Sequence, residues 1–165
     1  PGGKAAHFLE KYDIHLDALE IDASRAKRIE ENFKRLKLTG GHIIIGDASN
    51  PKEWFGGELY DAIIADVPCS ASGIVRRHPD ITYLRQEGDI KNLQVAQRKI
   101  LTSLWGLLKP GGKLLYVTCS VFPDEGELQA KWWLNAMPDA VRLKAPGQLL
   151  PSKQHDGFFY ALFKK

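Results

Sequence analysis

The chain has 165 residues, of which 44% are hydrophobic and 26% are charged, and its formal net charge is +3. This size and composition are ordinary for a globular protein, so we expect one domain over residues 1–165. The sequence has no apolar run long enough to span a membrane and no block of basic residues, and we expect no signal peptide. Two cysteines outside a Cys-x-x-Cys spacing argue against a disulfide framework, and five scattered histidines predict no metal site.

The chain opens on a glycine turn, residues 1–4, which leads into an amphipathic helix. The free N–H groups of a helix N-terminus suit a polar or anionic ligand, and a plain N-terminal turn is the alternative. A glycine-rich turn normally follows a strand, yet neither a strand nor a methionine precedes this one. We therefore expect the first, central strand to be absent, and the chain to be a fragment or to continue upstream in the native protein.

Acidic residues follow the next two predicted strands. An acid about 20 residues after a glycine-rich turn bonds ribose hydroxyls in nucleotide sites, and Glu20 fits this spacing. Asp47 comes after the following strand, where it can meet an adenine amino group or simply cap the next turn. Asp22 or Ser24 can cap the basic helix that follows Glu20.

Apolar periodicity and turn residues predict alternating helices and strands along the chain. This alternation indicates an α/β fold with a mostly parallel, doubly wound sheet, and the aromatic run after Gly157 fits an antiparallel C-terminal edge hairpin. Residues 73–85 and 109–112 are expected to be loops. The predicted strands are 14–21, 42–45, 60–65, 113–117, 141–143 and 158–163, and the predicted helices are 4–11, 24–38, 90–108 and 124–134.

The two cysteines each come just after a buried strand. Cys69 lies in Asp66-Val67-Pro68-Cys69-Ser70, and Cys119 lies in Thr118-Cys119-Ser120. Ligands of open α/β sheets bind at the carboxyl ends of the strands. If these strands are neighbours, about 4.8 Å apart, both sulfurs face one crevice. The alternative is that both cysteines are small buried hydrophobic residues.

A loop with two adjacent arginines and a histidine follows the Cys69 segment. Arg76 and Arg77 suit a phosphate, because the planar guanidinium donates to two oxygens at once, and His78 stands beside them. A surface loop held by ion pairs is the alternative.

The two cysteine segments together resemble the motifs of RNA (cytosine-5)-methyltransferases that use S-adenosylmethionine. The opening Pro1-Gly2-Gly3-Lys4 resembles the end of their cofactor motif, and Asp156-Gly157-Phe158-Phe159 is similar to their C-terminal signature. The stretch Arg76-Arg77-His78-Pro79-Asp80-Ile81 resembles the bacterial RsmB/Sun/Fmu-like branch, which modifies small-subunit ribosomal RNA. The resemblance covers essentially the whole chain and implies the Rossmann-like fold of class I S-adenosylmethionine-dependent methyltransferases.

The resemblance also implies roles for individual residues. Cys119 would add to C6 of cytosine, and Cys69 would help product release as an acid or base, although the residues alone do not tell the two thiols apart. Asp66 would contact the cytosine edge or the cofactor. The implied cofactor-binding residues are Pro1, Gly2, Gly3, Lys4, Glu20, Asp47 and Asp66, and the candidate RNA-binding residues are Arg76, Arg77 and His78.

The expected function is methyl transfer from S-adenosylmethionine to C5 of a cytosine in ribosomal RNA, 16S in particular. We expect a cytoplasmic monomer with no membrane or metal partner. A transfer RNA cytosine-5 methyltransferase and a non-catalytic RNA-binding fragment of the same fold are the alternatives. Amino-methyltransferases need no thiol, and their motif has an aromatic residue after the prolines. DNA cytosine methyltransferases place their nucleophile where Cys69 lies.

Overall fold

A computed structural model describes residues 1–86 and 88–165, which form two compact units, 1–57 and 58–165. Helices and strands alternate as the sequence predicts. The helices are α1 (Gly3–Lys11), α2 (Ala23–Leu36), α3 (Ile81–Leu84), α4 (Asp89–Trp105) and α5 (Glu127–Ala136). The strands are β1 (Leu16–Glu20), β2 (Gly41–Ile45), β3 (Tyr60–Asp66), β4 (Leu108–Thr118), β5 (Val141–Leu149) and β6 (Phe158–Lys164), and short 3-10 helices span Pro51–Glu53, Ser72–Ile74 and Pro123–Glu125.

The first unit is built on the parallel pair β1 and β2. Glu20 lies opposite Ile45 in the register, so both strands reach their carboxyl ends at the same edge. Helix α2 buries Ile29 and Phe33 in the core of this unit because they lie one turn apart on its apolar face. The cap of α2 is Asp22, whose side chain accepts hydrogen bonds from the first turn, as one of the sequence alternatives predicts.

The second unit is a four-stranded sheet in the order β3-β4-β6-β5. β3 and β4 are parallel, whereas β6 is antiparallel to both of its neighbours, so the predicted C-terminal hairpin is confirmed. Trp133 of α5 is fully buried, and its ring packs edge-on against Trp105 of α4 at a centroid distance of 5.4 Å. The ring of Trp133 thus serves to pack α5 against α4.

Within residues 1–86 and 88–165 the strands pair as two sheets, β1-β2 and β3-β4-β6-β5, whereas a single sheet is expected from the sequence. Several element boundaries also differ from the predicted ones. α4 ends at Trp105, β5 continues to Leu149, and the helix predicted over 124–134 is a 3-10 helix, Pro123–Glu125, followed by α5. Residues 73–85, expected as loop, include part of a 3-10 helix and the whole of α3.

The segment 109–112, expected to be a loop, lies within β4 as an irregularity in its pairing. Tyr60 pairs with Leu108, but Ala62 pairs with Lys113, so the intervening residues of β4 bulge out of register. Lys109 secures the bulge, because its Nζ lies 2.9 Å from both carboxylate oxygens of Asp61. Glycine and proline here mark a bulge and not the end of the strand.

Two glycines let three segments of the second unit approach closely. Gly73, after β3, donates its N–H to the carbonyl of Cys119 at 2.9 Å, and Gly157, before β6, donates to the carbonyl of Gly73 at 2.8 Å. A Cβ atom on Gly73 would lie 2.1 Å from the Gly157 oxygen and 2.9 Å from the Cys119 oxygen. The backbone therefore excludes a side chain at Gly73.

We expect Gly73→Ala to lower the free energy of unfolding by about 1–3 kcal/mol or more, because backbone atoms must move to admit the methyl group. Gly106→Ala is the matched control, since its Cβ would meet its nearest neighbour at 3.5 Å and its φ is −61°. Urea unfolding of both variants measures the difference. Equal stability of Gly73→Ala and the native protein would contradict the close approach.

Candidate functional site

The parallel pairing of β3 and β4 brings the two cysteines together. Asp66 lies opposite Val117, so both strands end at the same edge and the chain leaves them side by side. The Sγ atoms of Cys69 and Cys119 are 3.3 Å apart, and both residues are partly buried thiols outside any disulfide. The condition that the sequence left open, that these strands are neighbours, is therefore met.

The protonation of Cys69 depends on its neighbouring thiol. The contact with Cys119 is the main cause that raises the pKa of Cys69, and burial raises it further. Cys69 therefore keeps its proton at neutral pH, and its S–H group can donate to the sulfur of Cys119. At this distance either sulfur can be the donor, and the raised pKa of Cys69 favours Cys69 as the one that carries the proton.

Buried side chains hold the backbone on both sides of Cys69. Before Cys69, the carbonyl of Pro68 accepts from Nε2 of Gln97, on α4, at 3.0 Å. After Cys69, the N–H of Ser70 donates to Oε1 of Glu125 at 2.8 Å. Both Gln97 and Glu125 are fully buried, so the Cys69 segment is fixed from within the protein.

Three serine hydroxyls link the two cysteine segments. The Oγ atoms of Ser70, Ser72 and Ser120 lie 3.1–3.2 Å from one another. Ser72 also accepts from the backbone N–H of Val121 at 3.0 Å. Arg85 supports the same segment from outside, because its Nε donates to the carbonyl of Ser70 at 2.8 Å.

The predicted acidic residues lie at strand ends. Asp66 is exposed at the end of β3. Glu20 ends β1, and its carboxylate accepts from Nε of Arg25 at 2.9 Å. Asp47 lies just beyond β2 at the same edge and accepts from both the N–H and the hydroxyl of Ser49, each at 2.8 Å. Asp47 therefore caps its turn, which is the alternative that the sequence left open.

The opening glycines adopt the geometry of a helix start. Pro1 precedes the turn, and Gly2 has a left-handed φ of 82° at the N-cap of α1. A Cβ on Gly2 would lie 2.9 Å from Cγ2 of Ile29, so this position needs glycine. A Cβ on Gly3 would meet no atom within 4 Å, so the backbone there is open to approach. Lys4 follows in the exposed first turn of α1.

The two adjacent arginines both form ion pairs with Asp156, whose carboxylate is buried. Nε of Arg76 contacts Oδ1 of Asp156, and Nε of Arg77 lies 2.7 Å from Oδ2. The side chain of Arg77 is nevertheless 66% exposed, and His78 is exposed beside it. The ion-paired loop that the sequence left as an alternative is therefore present, with Arg77 still facing solvent.

Sequence reasoning missed the buried support of Cys69. Gln97 lies four residues from both Leu93 and Leu101, on the inner face of α4, so a polar residue at an apolar position was the available signal. Glu125 follows Pro123 and Asp124, and in sequence it resembles an ordinary acidic helix start. Nothing in the sequence distinguishes Arg85 from an ordinary solvent-exposed arginine.

Within residues 1–86 and 88–165, no helix is long and apolar enough to cross a membrane. The same residues hold no group of three histidine, cysteine, aspartate or glutamate side chains placed to bind a metal ion.

Solved structures share the fold of this chain. The crystal structure of PH0851 matches all of it with 34% sequence identity and a TM-score of 0.92, and the chain covers 40% of that protein. A methyltransferase homologue from Pyrococcus horikoshii also matches all of it, with 26% identity, a TM-score of 0.80 and 58% of that protein covered. The fold is therefore the α/β fold of the class I S-adenosylmethionine-dependent methyltransferases.

The family model described as 16S rRNA methyltransferase RsmB/F matches residues 1–164, and the chain belongs to that family. A curated relative, ribosomal RNA small subunit methyltransferase B of Vibrio cholerae serotype O1, is 47% identical over the whole chain. The chain covers 39% of that relative, and it spans about 40% of the length of the curated proteins it matches.

We expect iodoacetamide to modify Cys69 slowly even at about pH 9, where an ordinary thiol of pKa about 8.5 is mostly ionised. The raised pKa leaves little thiolate at Cys69, and Cys119→Ala removes its main cause. The pH midpoint of Cys69 alkylation should therefore fall in that variant. Mass spectrometry of alkylated peptides measures the midpoint, with glutathione as the unperturbed reference. An unchanged midpoint would contradict the coupling.

Proposed function

We propose that this protein transfers a methyl group from S-adenosylmethionine to C5 of a cytosine in RNA, with small-subunit ribosomal RNA as the substrate. The observation that carries the proposal is the pair of thiols 3.3 Å apart, of which Cys69 stays protonated. Membership of the 16S rRNA methyltransferase family supports the choice of ribosomal RNA. Transfer RNA is the alternative substrate, to be compared in the same assay.

Cytosine C5 is a poor nucleophile, and a thiolate at Cys119 overcomes this by covalent catalysis. The sulfur of Cys119 adds to C6, and the electron pair of the C5–C6 double bond moves towards C5. C5 then carries the electron density needed to accept an electrophilic methyl group. Loss of the C5 proton restores the double bond, breaks the bond between sulfur and C6, and returns Cys119 as a thiolate.

Cys69 is suited to the release step because its protonation depends on Cys119. In the free protein the neighbouring sulfur raises the pKa of Cys69 and keeps it a thiol. Once Cys119 is bound to C6 as a neutral thioether, that cause disappears and the pKa of Cys69 falls. Cys69 then yields a thiolate more readily, which can take the C5 proton and promote elimination.

The first unit fits the proposed cofactor. S-adenosylmethionine supplies the electrophilic methyl group when it is bound. Glu20 offers a carboxylate to ribose hydroxyls, and Asp47, at the same strand edge, is proposed to reach the adenine. The open backbone at Gly3 suits close approach of the methionine end, with Gly2 and Lys4 on either side. Pro1 precedes this turn and is proposed to line it.

The cytosine must leave its stack to reach the thiols, so single-stranded or looped RNA is the proposed form. Asp66, exposed at the end of β3, is proposed to contact the cytosine edge. The exposed Arg77 is the best placed of the three candidate RNA-binding residues, because its guanidinium is held by Asp156 yet faces solvent. Arg76 and His78 complete the proposed contact.

We expect Arg77→Gln to weaken RNA binding uniformly across sequences and to lower the salt slope of the binding constant by about 1, since one phosphate contact is lost. Lys99→Gln removes an exposed charge from α4 and serves as the control. Fluorescence anisotropy with labelled RNA at several salt concentrations measures both slopes. If the salt slope of the binding constant is the same in the two variants, Arg77 does not contact an RNA phosphate.

Trapping of a covalent complex tests the proposed reaction. Full-length native protein is mixed with S-adenosylmethionine bearing a labelled methyl group and either 16S ribosomal RNA or transfer RNA. We expect Cys69→Ala to slow release by about 10²–10⁴-fold, so that a denaturant-resistant adduct accumulates on a gel. Cys119→Ala should form no adduct and transfer no methyl group.

The gel separates the competing functions. An adduct in Cys119→Ala but none in Cys69→Ala would move the nucleophile to Cys69, as in the DNA enzymes. Methyl transfer without an adduct in any lane would show that the thiols serve only packing, and it would contradict the proposed reaction. RNA binding without any transfer would indicate a non-catalytic RNA-binding protein.

A further inference from the structure

We infer that Glu125 is a positioning residue that holds Cys69 against Cys119, and that product release depends on it. Its effect on release rests on the proposed function. Its effect on the distance between the two thiols does not, so the two can be tested separately.

The contacts of Glu125 surround Cys69. Its Oε1 accepts from the N–H of Ser70 at 2.8 Å and from Nε2 of Gln97 at 3.1 Å. The same Nε2 donates to the carbonyl of Pro68 at 3.0 Å. Oε1 of Glu125 thus contacts the peptide group after Cys69 directly and the peptide group before Cys69 through Gln97.

The position of Glu125 is itself fastened to β4, the strand that leads to Cys119. The hydroxyl of Tyr116 lies 2.8 Å from the backbone carbonyl of Glu125 and donates to it. Burial, followed by the charge of Glu125, raises the pKa of Tyr116, so this hydroxyl remains a donor. Glu125 therefore joins the support of one cysteine to the strand of the other.

The accepting oxygen of Glu125 is the feature that the positioning role needs. Glu125 is fully buried, and its Oε2 has no hydrogen-bond partner among the described residues, so the contacts with Ser70 and Gln97 are made through Oε1. A glutamine would accept the same hydrogen bonds through its oxygen.

The release experiment compares Glu125→Ala with Glu125→Gln in full-length native protein. We expect Glu125→Ala to slow release of methylated RNA by about 10- to 100-fold, because displacement of a catalytic group by about 1 Å costs this much. Methylation in the first turnover should stay within about threefold of the native rate. Glu125→Gln keeps the accepting oxygen and should restore release to within about threefold.

A second experiment reads the thiol geometry without RNA. Diamide joins two neighbouring thiols into a disulfide, and the two protons and two electrons that they lose reduce the diazene to a hydrazine. At 3.3 Å the native pair should close rapidly. We expect Glu125→Ala to slow closure at least about tenfold and Glu125→Gln to leave it near the native rate.

Matched variants exclude a general loss of folding. Glu127→Gln changes the same residue type two positions away, where the carboxylate pairs with Arg142 at the surface, and both rates should stay native. If Glu125→Ala does not fold, Gln97→Met removes the support of Pro68 with little change in volume. It should slow both rates while first-turnover methylation persists.

The outcomes distinguish the two proposals. Native rates of release and of disulfide closure in Glu125→Ala, or in Gln97→Met if that variant must replace it, would overturn the positioning role. A Glu125→Gln variant as impaired as Glu125→Ala would overturn the role of the accepting oxygen. Slow closure in Glu125→Ala, with no methyl transfer even by the native protein, would support the positioning role and contradict the proposed function.

Discussion

The parallel pairing of β3 with β4 is the constraint on which the candidate site depends. Parallel strands end at a common edge, and the register that places Asp66 opposite Val117 lets the segments after both strands run side by side. A slip of one residue would turn every side chain of β4 to the other face and separate the thiols. The 3.3 Å contact between Cys69 and Cys119 is therefore a property of sheet register as much as of the two residues.

Close backbone contacts and buried polar groups then hold the two cysteine segments that the strands have brought together. Gly73 packs its backbone directly on that of Gly157 and bonds the carbonyl of Cys119, so the loop has no room to move away. Gln97 and Glu125 satisfy the peptide groups beside Cys69 that burial would otherwise leave unpaired. The peptide groups on both sides of Cys69 are thus paired within the protein.

Local patterns were sufficient to predict the fold class and to place each cysteine just after a strand. Apolar runs that end in proline or glycine mark strands well, but the pairing of β3 with β4, on which the meeting of the thiols depends, remained a condition. The hydrogen-bond partners were not predictable, because Asp156 pairs with Arg76 from a distant part of the sequence. Glu125 likewise depends on tertiary burial, which turns an apparent helix start into the support of another loop.

The place of β6 between β4 and β5 determines the order in which the site can be assembled. β4 is synthesised well before β6, so one edge of β4 stays without its neighbour while the intervening chain leaves the ribosome. Gly157, which anchors the loop through Gly73, arrives with β6. The backbone bond from Gly157 to Gly73 is consequently the last of these contacts to form, after β3, β4 and Glu125 have already been synthesised.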